Sequence, residues 1–209
     1  MSLELIDVVV GPLAGAPLFG ALSLRVEPGE VATLMGPSGI GKSTLLDAIG
    51  GHLAHGFKVS GRVELSGRDV LTQPAEARRI GVLFQDAMLF PHLSVGDNLA
   101  FGLAQSVRGA ARSAAVEEAL DQAGLAGFAT RDPATLSGGQ RARAALMRAL
   151  LAKPEALLLD EPFSRLDAEL RAEIRGFVFE HLRVRKIPGL LVTHDTSDAE
   201  AAAGAVVQL

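Results

Sequence analysis

Nine residues, Gly36-Pro37-Ser38-Gly39-Ile40-Gly41-Lys42-Ser43-Thr44, confine this chain to a narrow set of folds. They fit the pattern G-x-x-x-x-G-K-[ST], with Gly36, Gly41, Lys42 and Ser43 at its fixed positions, and the flanks supply the required context. Val31-Ala32-Thr33-Leu34 reads as a short buried strand, and Thr44-Leu45-Leu46-Asp47-Ala48-Ile49 as the first turns of a helix ending near Gly50-Gly51. A strand feeding a glycine-rich turn into a helix N-terminus aims backbone N–H groups and the positive end of the helix dipole at one point, which suits a polyphosphate. Gly36 to Thr44 would line the phosphates, Lys42 would hold the β- and γ-phosphates, and the Ser43 hydroxyl would ligate Mg²⁺. A chance glycine-rich turn is the competing account, and it leaves the agreement of fixed residues, strand and helix unexplained.

Far downstream, the apolar run Leu157-Leu158-Leu159 ends in Asp160-Glu161, and Pro162 forbids its continuation as an interior strand. Ligands of open α/β sheets sit at the carboxyl ends of strands, so these carboxylates are expected to face the glycine-rich loop. Asp160 would hold Mg²⁺ directly or through water, and Glu161 would polarise an attacking water. Taken alone, two carboxylates after a strand describe a solvated turn equally well.

A third segment, Leu136-Ser137-Gly138-Gly139-Gln140, precedes Arg141-Ala142-Arg143-Ala144-Ala145-Leu146-Met147-Arg148-Ala149-Leu150-Leu151 and looks like a helix start with exposed amide groups, a place where anions bind. Ser137 alone would cap such a helix. Two glycines, each costing about 1 kcal/mol inside a helix, suggest a need for close backbone approach. This segment resembles the signature of ABC-type ATPases, and the likeness runs through nearly the whole chain. It implies an α/β fold with a P-loop NTPase core of ABC type, ATP and Mg²⁺ as ligands, and a head-to-tail pair of copies in which Ser137, Gly138, Gly139 and Gln140 of one cap the nucleotide of the other. It further implies that Gln85 senses Mg²⁺ and the attacking water, that His194 contacts the γ-phosphate, and that Asp167 communicates across the pair. Without the resemblance, a lone histidine after Leu190-Leu191-Val192-Thr193 is more often structural.

Composition narrows the remaining classes. Cysteine is absent, so disulfide and thiol chemistry are excluded, and a net charge of −4 without a basic block argues against a nucleic-acid footprint. No run of about 18 apolar residues and no charged-then-apolar leader are present, so neither a membrane span nor a secretion signal is expected. A mean hydropathy of +0.29 is high for a small soluble domain; buried parallel strands explain part of it and an obligate partner surface the rest.

The expected organisation is one domain over residues 1–209, with a helical subdomain inserted at about 86–133. Leu3 to Val8 and Leu22 to Val26 alternate as half-buried strands do, Pro28-Gly29 turns the chain into the phosphate-loop strand, and Arg62 to Leu65 and Ile80 to Phe84 read as further strands. In the middle, Val116, Ala119, Leu120 and Ala123 share one helical face. After Gln85, the set Met88, Leu89, Phe90, Leu93 and Val95 is either core or the lining of a groove. That stretch is similar to the groove-forming segment of importer ATPases, where a permease helix docks, and Asp132 to Thr135 and Phe163 to Asp167 look like a bacterial subgroup of importer ATPases. The resemblance therefore implies a peripheral subunit on the cytoplasmic face of the cell membrane, with an integral permease as partner. A non-transport ABC ATPase and an ATP-switched binding module without turnover are the alternatives. Two departures stand out: Leu13 occupies the position where the family stacks an aromatic ring on adenine, with Phe19 available only after rearrangement, and the chain ends at Leu209 without the regulatory β-domain that some importer ATPases append.

Overall fold

The computed structural model describes residues 1–209. In chain order its elements are β1 (Leu3–Pro12), β2 (Leu22–Val26), β3 (Val31–Met35), α1 (Lys42–Gly50), β4 (Phe57–Leu65), β5 (Arg68–Asp69), α2 (Ala75–Arg78), β6 (Ile80–Leu83), α3 (Val95–Phe101), α4 (Gly109–Gln122), α5 (Gly138–Leu151), β7 (Ala156–Asp160), α6 (Ala168–Arg185), β8 (Gly189–Thr193), α7 (Thr196–Ala202) and β9 (Ala203–Gln208). No helix is long and apolar enough to cross a membrane. The chain forms two compact units, one comprising Met1–Val82, Glu155–Glu161 and Phe179–Leu209, the other Leu83–Pro154 and Pro162–Val178.

The first unit contains two sheets. An antiparallel sheet runs β2-β1-β4-β5, and a second sheet runs β6-β7-β8-β3-β9, with β3 parallel to both β8 and β9 and β7 parallel to β8. Nearly continuous apolar sequence in β3, β7 and β8 matches burial of these strands on both faces. Ala32 and Leu34, Ala156 and Leu158, and Leu190 and Val192 join Leu45, Leu46, Ala48 and Ile49 of α1 and the apolar face of the antiparallel sheet in one core. At about 25 cal/mol per Å² of apolar surface removed from water, such a layer is the main force holding α1 against the strands. The last carbonyls of α1 are met by a buried side chain: the Arg78 guanidinium donates to Ala48 O at 2.6 Å and to Ile49 O at 2.7 Å, and burial holds its pKa below the usual arginine value.

The second unit is helical. Asn98, fully buried, donates to Phe90 O, Leu93 O and Ser94 O and accepts from Phe90 N, so one side chain organises the loop ahead of α3. Gly102 closes α3 where a Cβ would lie 2.1 Å from Arg148 O of α5, a position only glycine fills. Of the set left open between core and groove, Val95 is buried while Met88 is exposed, and the Arg148 guanidinium donates to Met88 O and Ala87 O and lies over the Phe90 ring. The unit is wider than a segment confined to 86–133, because α5 packs against α3 and α4, and Arg143 of α5 pairs with Glu173 of α6.

Candidate functional site

The site is assembled at the carboxyl ends of three adjacent strands, β7, β8 and β3. β3 delivers the chain into the loop from Gly36 to Gly41, where Gly39 (φ +83) and Gly41 (φ +106) take left-handed conformations that L side chains rarely adopt. A Cβ on Gly41 would also lie 2.6 Å from Leu18 Cδ1, whereas one on Gly39 would meet nothing within 4 Å. Gly41 stands at the N-cap of α1 with no side-chain cap, which leaves the first amides of the helix for a ligand. Ser38, Gly39, Gly41, Lys42, Ser43, Thr44 and Glu161 line a cavity of about 190 Å³ there.

Lys42 is 5 % exposed and folds back over its own loop, donating from Nζ to Gly36 O at 2.7 Å and Pro37 O at 3.0 Å. Ser43 Oγ donates to Asp160 Oδ1 at 2.9 Å, joining the first turn of α1 to the end of β7. Burial pushes the Asp160 carboxyl above the usual carboxylate range; the Ser43 hydrogen bond opposes this, Glu161 and Asp47 add to it, and Lys42 pulls it back. A hydroxyl and a carboxylate are hard oxygen donors, and Mg²⁺ is typically held by one or two such groups together with phosphate oxygens and water. Ser43 and Asp160 therefore fit a divalent cation that arrives with a nucleotide, and a cluster of three or more His, Asp or Glu ligands is found nowhere in the chain.

Glu161 follows β7 in the left-handed region, φ +46, where a non-glycine residue is strained. Its N–H donates to Val192 O at 3.0 Å, which extends the ladder to β8, and its Oε2 lies 3.1 Å from Nδ1 of His194. His194 is exposed immediately after β8. Of the residues singled out in the sequence, those from Ser38 to Thr44, Asp160, Glu161 and His194 thus belong to one local constellation.

The others lie in the second unit and are described within it. Gln85 is exposed in the bend after β6. Ser137 and Gln140 form a reciprocal cap on α5: Ser137 Oγ accepts from Gln140 N at 3.2 Å, and Gln140 Oε1 accepts from Ser137 N at 3.0 Å. The paired glycines divide in purpose. A Cβ on Gly139 would meet Leu170 Cδ1 at 2.5 Å, so packing against α6 demands that glycine, whereas at Gly138 the nearest contact is an ordinary 3.6 Å to Leu166. Asp167 caps α6, its Oδ1 accepting from Leu170 N at 3.0 Å. Near the loop, Leu13 is 62 % exposed while Phe19 is only 9 % exposed and sits in the core, so Phe19 offers no ring face to a base. Sequence reasoning missed Leu18, Asp47 and the buried pair Thr193 and Asp198; their roles come from tertiary neighbours, which no local pattern announces.

The sequence profile described as "ABC transporter" matches residues 19–164, from ahead of the phosphate loop to beyond Glu161. The chain belongs to the ABC transporter family. Its fold is the family's P-loop NTPase domain, and it is an ATP-hydrolysing subunit of that family. The chain is 52 % identical over 180 residues to the uncharacterized ABC transporter ATP-binding protein YnjD of Escherichia coli, covering 86 % of this chain and 83 % of that protein. It is 44 % identical over 187 residues to the Fe(3+) ions import ATP-binding protein FbpC of Agrobacterium fabrum, covering 89 % of this chain and 52 % of that one. FbpC 3 of Rhodococcus jostii is 44 % identical over 207 residues, 96 % of this chain and 58 % of the relative. The chain thus spans only about half the length of the iron-import relatives it matches.

Proposed function

We propose that this ABC ATPase hydrolyses Mg²⁺-ATP at the constellation around Lys42 and Glu161 and drives import through a separate integral permease, working from the cytoplasmic face of the membrane as a pair of copies. The carrying observation is the meeting of Lys42, the Ser43–Asp160 hydrogen bond and the Glu161–His194 contact beside one empty-sided helix N-terminus. Loop amides and Lys42 bind the triphosphate, which requires Lys42 to exchange its two loop carbonyls for phosphate oxygens. Ser43 and Asp160 hold Mg²⁺, which when bound neutralises charge on the phosphate oxygens. Glu161 orients and polarises the attacking water, His194 donates to the γ-phosphate, and the Glu161 carboxylate keeps that imidazole turned toward the reaction. Such catalysis is positioning and electrostatics, as phosphoryl transfer generally is.

Gln85 is assigned to sensing Mg²⁺ and water, and Ser137, Gly138, Gly139, Gln140 and Asp167 to the partner copy's nucleotide; family likeness and the open surroundings of Gly138 support this. Import is supported by the names of relatives at 44–45 % identity, which make ferric iron the first cargo to test. The decisive experiment is phosphate release by the purified chain beside Lys42→Ala, together with identification of the membrane protein that co-purifies in mild detergent. Turnover lost with ATP binding in Lys42→Ala is expected; wild-type affinity in that variant refutes the phosphate-loop assignment, and absence of any turnover in the wild type would favour an ATP-switched module.

A further inference from the structure

The corner that presents His194 is held by a buried acid for which the chemistry above has no use. β8 ends at Thr193, 2 % exposed, and α7 starts after Asp195, so His194 is the middle residue of a three-residue corner. Thr193 Oγ1 donates to Asp198 Oδ2 at 3.1 Å and accepts from Asp195 N at 3.1 Å, so a single hydroxyl ties together the two residues that flank His194. Asp198 lies in the first turn of α7 and is 3 % exposed. An ionised carboxylate only accepts hydrogen bonds, so it fixes the direction of the Thr193 proton and turns a hydroxyl lone pair toward the Asp195 N–H. Capping of α7 does not call for this acid, because the Asp195 side chain already accepts from Ser197 N at 2.8 Å. Burying a second carboxylate beside the cap is costly unless it organises something else.

We propose that Asp198, acting through Thr193, is a positioning residue that aims His194 at Glu161 and so at the γ-phosphate of bound nucleotide. The inference rests on the roles given above to His194 and Glu161. His194 Nδ1 stands 3.1 Å from Glu161 Oε2, near the outer edge of hydrogen-bond reach, so a small rotation of the corner breaks the contact. In Asp198→Asn the new amide can donate to Thr193 Oγ1. The hydroxyl proton is then free to turn toward the Asp195 N–H, and the corner loses its lock.

The test uses the full chain with Asp198→Asn, Thr193→Val, the double variant, Thr193→Ser and, as reference, His194→Ala. Asp198→Asn and Thr193→Val should each lower kcat by about tenfold or more while KM for ATP stays within about twofold. The double variant should be no worse than the weaker single, because both break one linkage. Thr193→Ser, which keeps the hydroxyl, should stay within about twofold of wild type. Ring-nitrogen NMR shifts of His194 in nucleotide-free protein give a readout apart from turnover: one fixed tautomer in wild type and Thr193→Ser, averaged tautomers in Asp198→Asn and Thr193→Val. Wild-type kcat and tautomer in Asp198→Asn, a loss confined to KM, or additive singles would overturn the proposal. Should Asp198→Asn fail to fold, Thr193→Val and Thr193→Ser decide, and equal kcat in those two refutes it. Full turnover in His194→Ala would instead remove the catalytic role of His194, with the ring-nitrogen shifts still reporting whether Asp198 aims the ring.

Discussion

Glu161→Gln keeps the volume and backbone of residue 161 and removes only its charge. A positioned general base contributes about 10²–10⁴-fold to rate, which is about 3–5 kcal/mol of barrier. Phosphate release at saturating ATP should therefore fall at least about a hundredfold. ATP affinity should hold, because the contacts proposed for the triphosphate come from the loop and Lys42, which the substitution leaves unchanged. The backbone supplies a second handle: at φ +46, Glu161 pays for a left-handed conformation that costs about 1–3 kcal/mol at strained sites. Asn tolerates that region better than Glu or Gln. Glu161→Asn should lose the same turnover and yet melt above Glu161→Gln, by about 2–4 °C for each kcal/mol relieved in a chain of this size. Phosphate release, isothermal titration of ATP and thermal melting of the two variants side by side separate these effects. Glu161→Gln retaining more than about a tenth of wild-type turnover would take the base role from Glu161, and Glu161→Asn melting no higher than Glu161→Gln would refute the strain argument.

Three further expectations follow from the same region. Gly39→Ala should cost only its backbone conformation, about 1–2 kcal/mol, while Gly41→Ala should melt lower still because its Cβ meets Leu18; Leu18→Ala should restore part of the second loss, and equal losses at both glycines would dismiss the Leu18 contact. Burial raises the Asp47 carboxyl above its ordinary value, with His52 opposing, so its stabilising contribution is complete below the ordinary carboxylate range and lost as pH rises through the raised value. Asp47→Asn should accordingly raise Tm at neutral pH and lose that gain in acid; a gain independent of pH would contradict the assignment. With Leu13 exposed and Phe19 in the core, binding energy should come mainly from the phosphates, and GTP should bind Glu161→Gln within about tenfold of ATP, a gap of about 1.4 kcal/mol; a hundredfold preference in titration would reveal another reader of the base.

What could be read from sequence depended on whether the signal was local. Strands β3, β7 and β8 are nearly continuous apolar runs, interrupted by Thr33 and ending in Asp160 and Thr193, because both their faces are covered, and they were legible for that reason. β1 was legible only to Val8 although it extends to Pro12, because the register shifts between Leu5 and Val8 with Asp7 at φ +48, and alternation breaks across such a bulge. β9 gave no signal at all: its alanine-rich sequence becomes a strand through pairing with β3, where Gly204 comes so close that a Cβ would lie 2.1 Å from Val31 O. In the site, Gly41, Lys42 and Ser43 were singled out by spacing and His194 by the family likeness, whereas the meeting of His194 with Glu161 was not legible, since 32 residues separate the two in sequence. Gly139 looked like a residue kept for a ligand and is at least as much a residue kept for Leu170.

The strand order β6-β7-β8-β3-β9 carries a consequence for biogenesis. β3 and its phosphate loop leave the ribosome well before both strands that flank β3, because β8 begins only at Gly189 and β9 at Ala203. At 5–20 residues per second, roughly 150 residues of synthesis keep β3 without either neighbour for about 8–30 s. During that interval a strand that is buried along its whole length in the finished fold has two open edges, the condition that invites capture by chaperones or by other nascent chains. The nucleotide cannot help, because the phosphate loop is carried by β3, and β3 has not yet paired with β8 or β9. Ribosomes stalled before Gly189 should therefore display chains that bind a holdase and ignore ATP, and chains that have emerged past β9 should do the reverse.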